Sequence, residues 1–290
     1  MVAPGMLQNP TVQHWLGNVV PAWTLLDQDS FFALRNPPSP TSGTIRLATD
    51  LSPDEISVSA VARNALILMR AASVGPGLKL TATGNLTRKV VAEMVELFTW
   101  PDFDKSDAFR LNKVINEPDF LPLFLTRHLT EAGLLVKPRK GYLRTTPSGR
   151  RSLDSTNQPV LQALLFHLAF WAFDLSYLGR SQNHGWPQAD FGIALWSLSV
   201  AAREWQSRER LTRMCTIPNN DVLQSSWDMG THAMDGTILR PLLWFGLLEH
   251  RADPIPGERF LKHHFYRKAS LFDRFLSFDV KLEGANAPRH

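Results

Sequence analysis

The sequence predicts a mainly α-helical protein with small β-hairpins, an α+β chain built as tandem winged-helix-like domains. The second domain is degenerate, and an irregular N-terminal arm precedes both. Three observations carry this expectation. Apolar residues recur at helical spacing along most of the chain. Near residues 133–153 a helix ending in Ala-Gly-Leu-Leu is followed by a short hairpin and a new helix start. A fainter copy of that pattern returns near residues 237–276.

Residues 1–52 are rich in proline and read as irregular, with PPSPTSG at 37–43 as a loop. Two apolar patches, 14–26 and 31–34, are expected to dock this arm on the body. A helix starts at Ser52-Pro53, because serine is a favoured N-cap, proline suits the first turn, and Asp54 and Glu55 complement the dipole. Its apolar face continues to Ala71, and Gly75-Pro76-Gly77 ends it. Next, residues 78–81 alternate as a strand, Gly84-Asn85 turns the chain, and Thr87 caps a helix to Phe98. After a polar loop at 101–112, a helix covers 118–132 and Gly133 stands at its C-cap. Leu134, Leu135 and Val136 lead through Lys137-Pro138-Arg139-Lys140-Gly141 to Tyr142-Leu143-Arg144-Thr145. That is a hairpin with a basic tip, anchored to the core by Leu134 and Leu135. Thr146-Pro147 opens one more helix.

Helix, short strand, helix, helix and hairpin, in that order, define a winged helix, here residues 53–153. TILRPLLWFGLL at 237–248 repeats the helix ending in Gly-Leu-Leu, residues 249–268 form a longer wing, and Lys268-Ala269-Ser270 aligns with Thr145-Thr146-Pro147. With helices over 160–178 and 191–205, residues 154–282 form the second unit, and 283–290 a frayed tail. The 160–178 stretch carries Gln162, His167 and Asp174, which are costly in lipid, so a buried core helix is expected and no membrane span.

A hydrophobic content of 44% against 20% charged residues is that of a folded chain and argues against disorder. One cysteine, Cys215, excludes an internal disulfide framework and a cysteine-rich zinc site. The N-terminus lacks the basic start and continuous apolar run of a secretory signal, so a cytoplasmic protein is expected. Positive charge is concentrated in one place. Residues 76–152 hold thirteen Lys and Arg against eight Asp and Glu, whereas 1–75 hold four against five and 153–290 fourteen of each. A local surplus of this kind fits an anionic partner.

LKLTATGNLTRKVV at 78–91, followed by TRHLTEAGLLVKPRKGYLRTTPSGRRSL at 126–153, resembles the C-terminal region of the plasmid ORF-3-like family, which are insertion-element passenger proteins. ILRPLLWFGLLEH and FYRKASLFDRFL are similar to the second unit that follows in such relatives. The strand-rich N-terminal domain of that family has no counterpart here. The resemblance implies the fold and a mobile-element or defence setting, and it brings no catalytic residues.

Lys137, Arg139, Lys140 and Arg144 on the wing, with Arg150 and Arg151 just beyond it, are the candidate contacts to a DNA backbone. Arg88 and Lys89 are expected on the same face. Cations there gain affinity by releasing counterions and do not read sequence. Arg127, in the recognition-helix position, is the candidate base reader and Thr130 a phosphate contact. The competing view is a solvated hairpin whose Lys and Arg protect its edge. In the second unit, Arg240, Trp244 and Phe245 read as a surface for a protein partner or a second copy. His250, His263 and His264 share the second wing, but neighbours on a strand face opposite ways, so no metal site is expected. Cys215 reads as a buried thiol, although Arg213 nearby is of the kind that lowers a thiol pKa. The chain has no P-loop, dinucleotide fingerprint, nucleophile elbow or His-Glu zinc helix, so neither catalysis nor a cofactor is expected. Two readings remain. One is a non-enzymatic DNA-binding protein, a transcriptional regulator or mobile-element accessory factor. The other is an interaction scaffold that uses its Trp-rich C-terminal half.

Overall fold

The structure, a computed structural model, describes residues 6–38, 43–103, 115–176, 185–225, 228–258 and 261–284. In chain order the elements are helices α1 (Pro10–Leu16) and α2 (Gln28–Ala33), strand β1 (Ile45–Leu47), helices α3 (Pro53–Ser57) and α4 (Ala60–Ser73) and strand β2 (Leu78–Lys79). Helices α5 (Arg88–Leu97) and α6 (Leu121–Ala132) precede the hairpin β3 (Val136–Arg139) and β4 (Tyr142–Thr145), then α7 (Pro147–Ser152) and α8 (Gln158–His167). Helix α9 (Phe191–Ala201), strand β5 (Gln206–Ser207) and helices α10 (Arg208–Cys215), α11 (Asn220–Gln224), α12 (Met229–Met234) and α13 (Arg240–Trp244) come next. The chain ends in the hairpin β6 (Leu248–Pro254) and β7 (Lys262–Lys268), helix α14 (Ser270–Phe275) and strand β8 (Leu276–Phe278). The protein is therefore mainly helical with small antiparallel sheets, as the sequence predicts. The polar loop expected at 101–112, most of PPSPTSG and the tail from 285 onward lie outside the described residues.

Contacts divide the chain into two compact units, Thr49–Ala169, and Met1–Ala48 together with Phe170–His290. The expected boundaries at 52/53 and 153/154 do not coincide with these, and the N-terminal segment clusters with the C-terminal one. Nor is that segment irregular. It forms α1, α2, a 3-10 turn at Ala22–Leu25 and β1, which pairs with β8. Trp23 is buried and its indole Nε1 donates to the Thr216 carbonyl at 3.0 Å. Gly192, in α9, lies so close to the Leu34 carbonyl that a Cβ there would come within 1.9 Å of it.

Within Thr49–Ala169, Ser52 and Glu55 form a reciprocal capping box at the start of α3. The single helix expected from Ser52 is in fact two. Ser59 turns its hydroxyl to the Ala62 N–H and caps α4, ending the first helix at Ser57. Helix α4 buries Val61, Ala65, Leu68 and Met69. Its Met69 carbonyl accepts the Thr145 hydroxyl at 2.5 Å, joining the helix to the sheet. The sheet order is β2-β4-β3, with the last strand of the hairpin in the middle. Thr146 caps α7 and also donates to the Leu134 carbonyl. Gly149 packs against the Leu135 carbonyl, where a Cβ would stand only 2.1 Å away.

Gly133 is the C-cap of α6, as expected. Gly133 has an ordinary φ of −73°, and Leu134 carries the left-handed conformation at φ 55°. The Leu135 N–H reaches back to the Thr130 carbonyl and the Leu134 N–H to Glu131, a helix end in which the left-handed position normally belongs to glycine. Leu134 is also 73% exposed, so of the two leucines only Leu135, at 1%, anchors the wing. Gly133 also admits Leu164 and Leu168, 3.4 and 3.2 Å from where its Cβ would be.

The other unit repeats this frame. Its order is again helix, strand, helices, hairpin, helix, and its sheet order β5-β7-β6 matches β2-β4-β3. Leu247 N–H donates to the Leu242 carbonyl, and Ala269 N–H to Leu247, as Leu135 does to Thr130 and Thr146 to Leu135. These bonds align Gly246 (φ 74°) with Leu134, one residue away from the alignment that the two Gly-Leu-Leu strings invite.

A buried ion pair of the first unit holds the turn that follows β2. Arg127 is 7% exposed and Glu117 1%. Arg127 Nη1 donates to both Glu117 oxygens at 2.9 and 2.7 Å, and its Nη2 to the Gly84 carbonyl at 2.9 Å and to Glu131 at 3.2 Å. Glu117 also accepts the Leu86 N–H at 2.6 Å. Two desolvated charges thereby tie the Gly84–Leu86 turn, the Glu117–Asp119 turn and helix α6 together.

Removing one member of such a pair leaves a buried charge without its partner. Arg127→Met is expected to destabilise the fold by about 3–5 kcal/mol in chemical denaturation, while adding Glu117→Met should recover part of that loss. A loss below about 1 kcal/mol would mean that the pair is solvated. Leu134→Gly, which relieves the left-handed leucine, is expected to raise stability by about 0.5–1 kcal/mol in the same measurement.

Candidate nucleic-acid interface

Cross-strand partners share a face of a sheet, and successive residues alternate between faces. In β2-β4-β3 the pairs Leu78–Leu143 and Val136–Thr145 turn inward and are buried. The opposite face carries one row, Lys79–Tyr142–Arg139, and a second row with Arg144 beside Lys137. Lys79, Lys137 and Arg139 are exposed, and Tyr142 and Arg144 half-buried. Among the residues of these three strands, no Asp or Glu stands on this face. Among the described residues, Lys79, Lys137, Arg139 and Lys140 form no ion pair.

The turn between the strands is two residues long, with Lys140 at φ 51° and Gly141 at φ 76°. A turn of this hand favours Asn or Gly at its first position, yet the chain places a lysine there. Arg144 is held in place because its Nε donates to the Pro76 carbonyl at 2.8 Å. It can pass over Gly77, where even a Cβ would meet the Leu143 carbonyl and come within 3.0 Å of Arg144 Cγ.

Of the other candidate contacts, Arg150 and Arg151 are exposed on α7, the helix that leaves the sheet. Arg88 and Lys89 are exposed at the start of α5, where Arg88 Nε donates to the Asn116 side chain at 3.1 Å. Among the described residues no side-chain contact ties these four to the sheet face.

Arg127 is not a base reader. Its guanidinium lies in the core and its donors serve Glu117, Glu131 and Gly84. Thr130, also buried, returns its hydroxyl to the carbonyls of Thr126 and Arg127. Helix α6 buries seven of its twelve residues, and the stripe that reaches solvent, Leu121, Phe124, His128, Glu131 and Ala132, offers no Lys or Arg to a groove. The proposed surface of the second unit fails for the same reason. Trp244 is 5% exposed and Phe245 1%, both in the core. Arg240 alone reaches solvent, paired with Asp235 at 3.1 Å.

The second wing's histidines separate as strand alternation requires. His250 and His264 share a face and a 2.9 Å hydrogen bond, and His263 lies on the other face near Phe265. Among the described residues no group of three or more His, Cys, Asp or Glu is placed to hold a metal. Cys215 is fully buried, and desolvation pushes its thiol pKa well above the usual range despite Arg213.

Sequence reasoning missed Lys79 and Tyr142. The signal was present, since Leu78-Lys79-Leu80 alternates and a central strand must place Tyr142 opposite Leu143's face. Only the pairing register shows that the two meet.

Residues 57–158 match the model of the Y4jL N-terminal domain. Over 106 residues, 37% of this chain, the sequence is 33% identical to the uncharacterized protein y4jL of Sinorhizobium fredii. The aligned part makes up 47% of that relative, so the chain spans about half the length of the curated protein it matches. No solved structure matches. The match overturns the resemblance to a C-terminal region of the plasmid ORF-3-like family and the view that an N-terminal domain is missing. Short Leu, Gly and Thr patterns around a helix end and hairpin carried that resemblance, and they are what any such turn requires. The mobile-element setting rested on it and is withdrawn with it. The matched model is that of an N-terminal domain, and the matched residues fall inside the compact unit Thr49–Ala169.

Proposed function

We propose that the unit Thr49–Ala169 is a winged-helix-type module that binds nucleic acid, duplex DNA foremost, by gripping its backbone without reading base sequence. One observation carries this reading. Lys79, Lys137, Arg139 and Arg144 crowd one face of a sheet whose three strands place no carboxylate there, with Lys140 at its tip. Concentrated like charge costs stability unless a counter-charge is supplied from outside, and a phosphate chain supplies it. The left-handed Lys140 points the same way, because strain at a turn tip keeps a cation where Asn or Gly would fold more easily. The burial of Arg127 removes the one candidate for specific readout, so affinity rests on phosphate contacts. Arg150 and Arg151, on the helix that follows, extend the basic surface. Among the described residues no helix is long and apolar enough to cross a membrane.

Fluorescence anisotropy with duplexes of two unrelated sequences, at low and at physiological salt, tests this directly. Both duplexes should bind alike, and affinity should fall steeply as salt rises. The Lys137→Ala/Arg139→Ala/Lys140→Ala variant should lower the log–log salt slope by about 0.9 for each phosphate contact removed. Absence of binding at low salt, or an unchanged slope in the triple variant, would sink the proposal.

A further inference from the structure

The two sheets share one hydrogen-bonding frame, so their outer faces can be compared position by position. Thr145 corresponds to Lys268 and Val136 to Leu248, which sets Tyr142 beside Phe265, Arg139 beside Arg251 and Arg144 beside Arg267. The central aromatic and both arginines recur. Three positions do not. Lys137 corresponds to Glu249, Lys79 to Ser207, and Gly77 to Trp205, the residues just ahead of β2 and β5.

Those three changes decide whether the face is complete in itself. In the second sheet Arg267 pairs with Glu249 at 2.7 Å and Arg251 with Asp253 at 3.1 Å. Both guanidinium groups lie over the Trp205 indole, 4.7 and 5.1 Å from its centre, and Arg251 also lies 4.9 Å from the Phe265 ring. The Trp205 ring thus lies against two arginines, one of which also lies over Phe265, with carboxylates neutralising the cations. In the first sheet the same arginine positions and the same aromatic position are present, but the planar ring and the carboxylates are not. Gly77 contributes no side chain and Arg144 lies over it, and Lys137 replaces the acid.

We propose that the outer face of β2-β4-β3 binds an unpaired nucleotide. Its base lies on this face against Tyr142 and the guanidinium groups of Arg139 and Arg144, as the Trp205 ring lies against Arg251 and Arg267 in the second sheet. Lys79 and Lys137 hold the flanking phosphates. Aromatic and arginine planes are sequence-tolerant platforms for bases once these leave the duplex stack, and cations beside them follow the backbone. A continuous duplex offers its phosphates to this face but no free base plane. The module therefore prefers DNA interrupted by unpaired nucleotides, such as a gapped duplex. This inference rests on the nucleic-acid reading above and adds to it a preference for strand form.

The test compares a gapped duplex carrying 2-aminopurine in the gap with an uninterrupted duplex of the same length, both at low salt. The wild type should bind the gapped probe about tenfold more tightly and quench its emission. Tyr142→Phe should keep the preference and the quenching. Tyr142→Leu, which retains an apolar side chain on the sheet but cannot stack, should lose both, and circular dichroism melts should show the two variants equally folded. Lys137→Glu, which imports the carboxylate of the second sheet, should weaken both probes. Equal binding of the two probes by the wild type, or a preference undiminished in Tyr142→Leu, overturns the stacking site and leaves the backbone grip standing. Failure of both probes to bind at low salt overturns both.

Discussion

The first unit depends on the ion pair between Arg127 and Glu117. Both groups are out of water, and between them they engage the turn before α5, the 3-10 turn before α6 and α6 itself. Burying two charges is tolerable only when nearly every donor and acceptor is matched, and here a main-chain N–H, a main-chain carbonyl and Glu131 complete the set. The pair also has a functional consequence. A helix whose one arginine is spent on the core cannot present that arginine to a base edge. Polar chemistry at the surface is displaced to the hairpin, where among the described residues no carboxylate pairs with Lys137, Arg139 or Lys140.

Two residues at this hairpin hold conformations that their side chains disfavour. Leu134 leaves α6 left-handed, where the corresponding position of the second unit is Gly246, and Lys140 makes the tip left-handed beside Gly141. The second unit meets the same geometry with glycine, so the frame itself does not require a leucine. The sheets diverge in the same sense. One surrounds its central aromatic with cations alone, and the other sets Arg251 over it and matches its arginines with Trp205, Glu249 and Asp253. One backbone plan thus supports a face that neutralises itself and a face that does not.

Much of the local structure was legible in the chain. The cap at Ser52, the stop at Gly75-Pro76-Gly77, the hairpin from Val136 to Thr145 and the restart at Thr146 follow from φ preferences and side-chain hydrogen bonds within a few residues. The alignment of Thr145 with Lys268 was legible for the same reason, since both close a hairpin onto the preceding helix end. The failures concern long reach. Arg127 and Trp244 carry the letters of exposed functional residues, and burial removed both. The C-cap at Gly133 was legible, but the left-handed conformation of the next residue, Leu134, is set by hydrogen bonds back into α6. The N-terminal segment, irregular to the eye because of its prolines, takes its order from β8 and from residues near Thr216 and Lys281, some 200 positions away.

By itself the sequence determined the helical class, the position of the basic hairpin and the concentration of positive charge within residues 76–152, because all three depend on composition and short-range periodicity. Tertiary structure alone decided which of those charges face water. Arg127 and Arg139 are equal in a count of charge, and only the partner opposite each distinguishes them: Glu117 brought in from ten residues away for the first, Tyr142 across a strand for the second. Strand register, which has no representation in composition, placed Lys79, Tyr142, Arg139 and Arg144 on one surface.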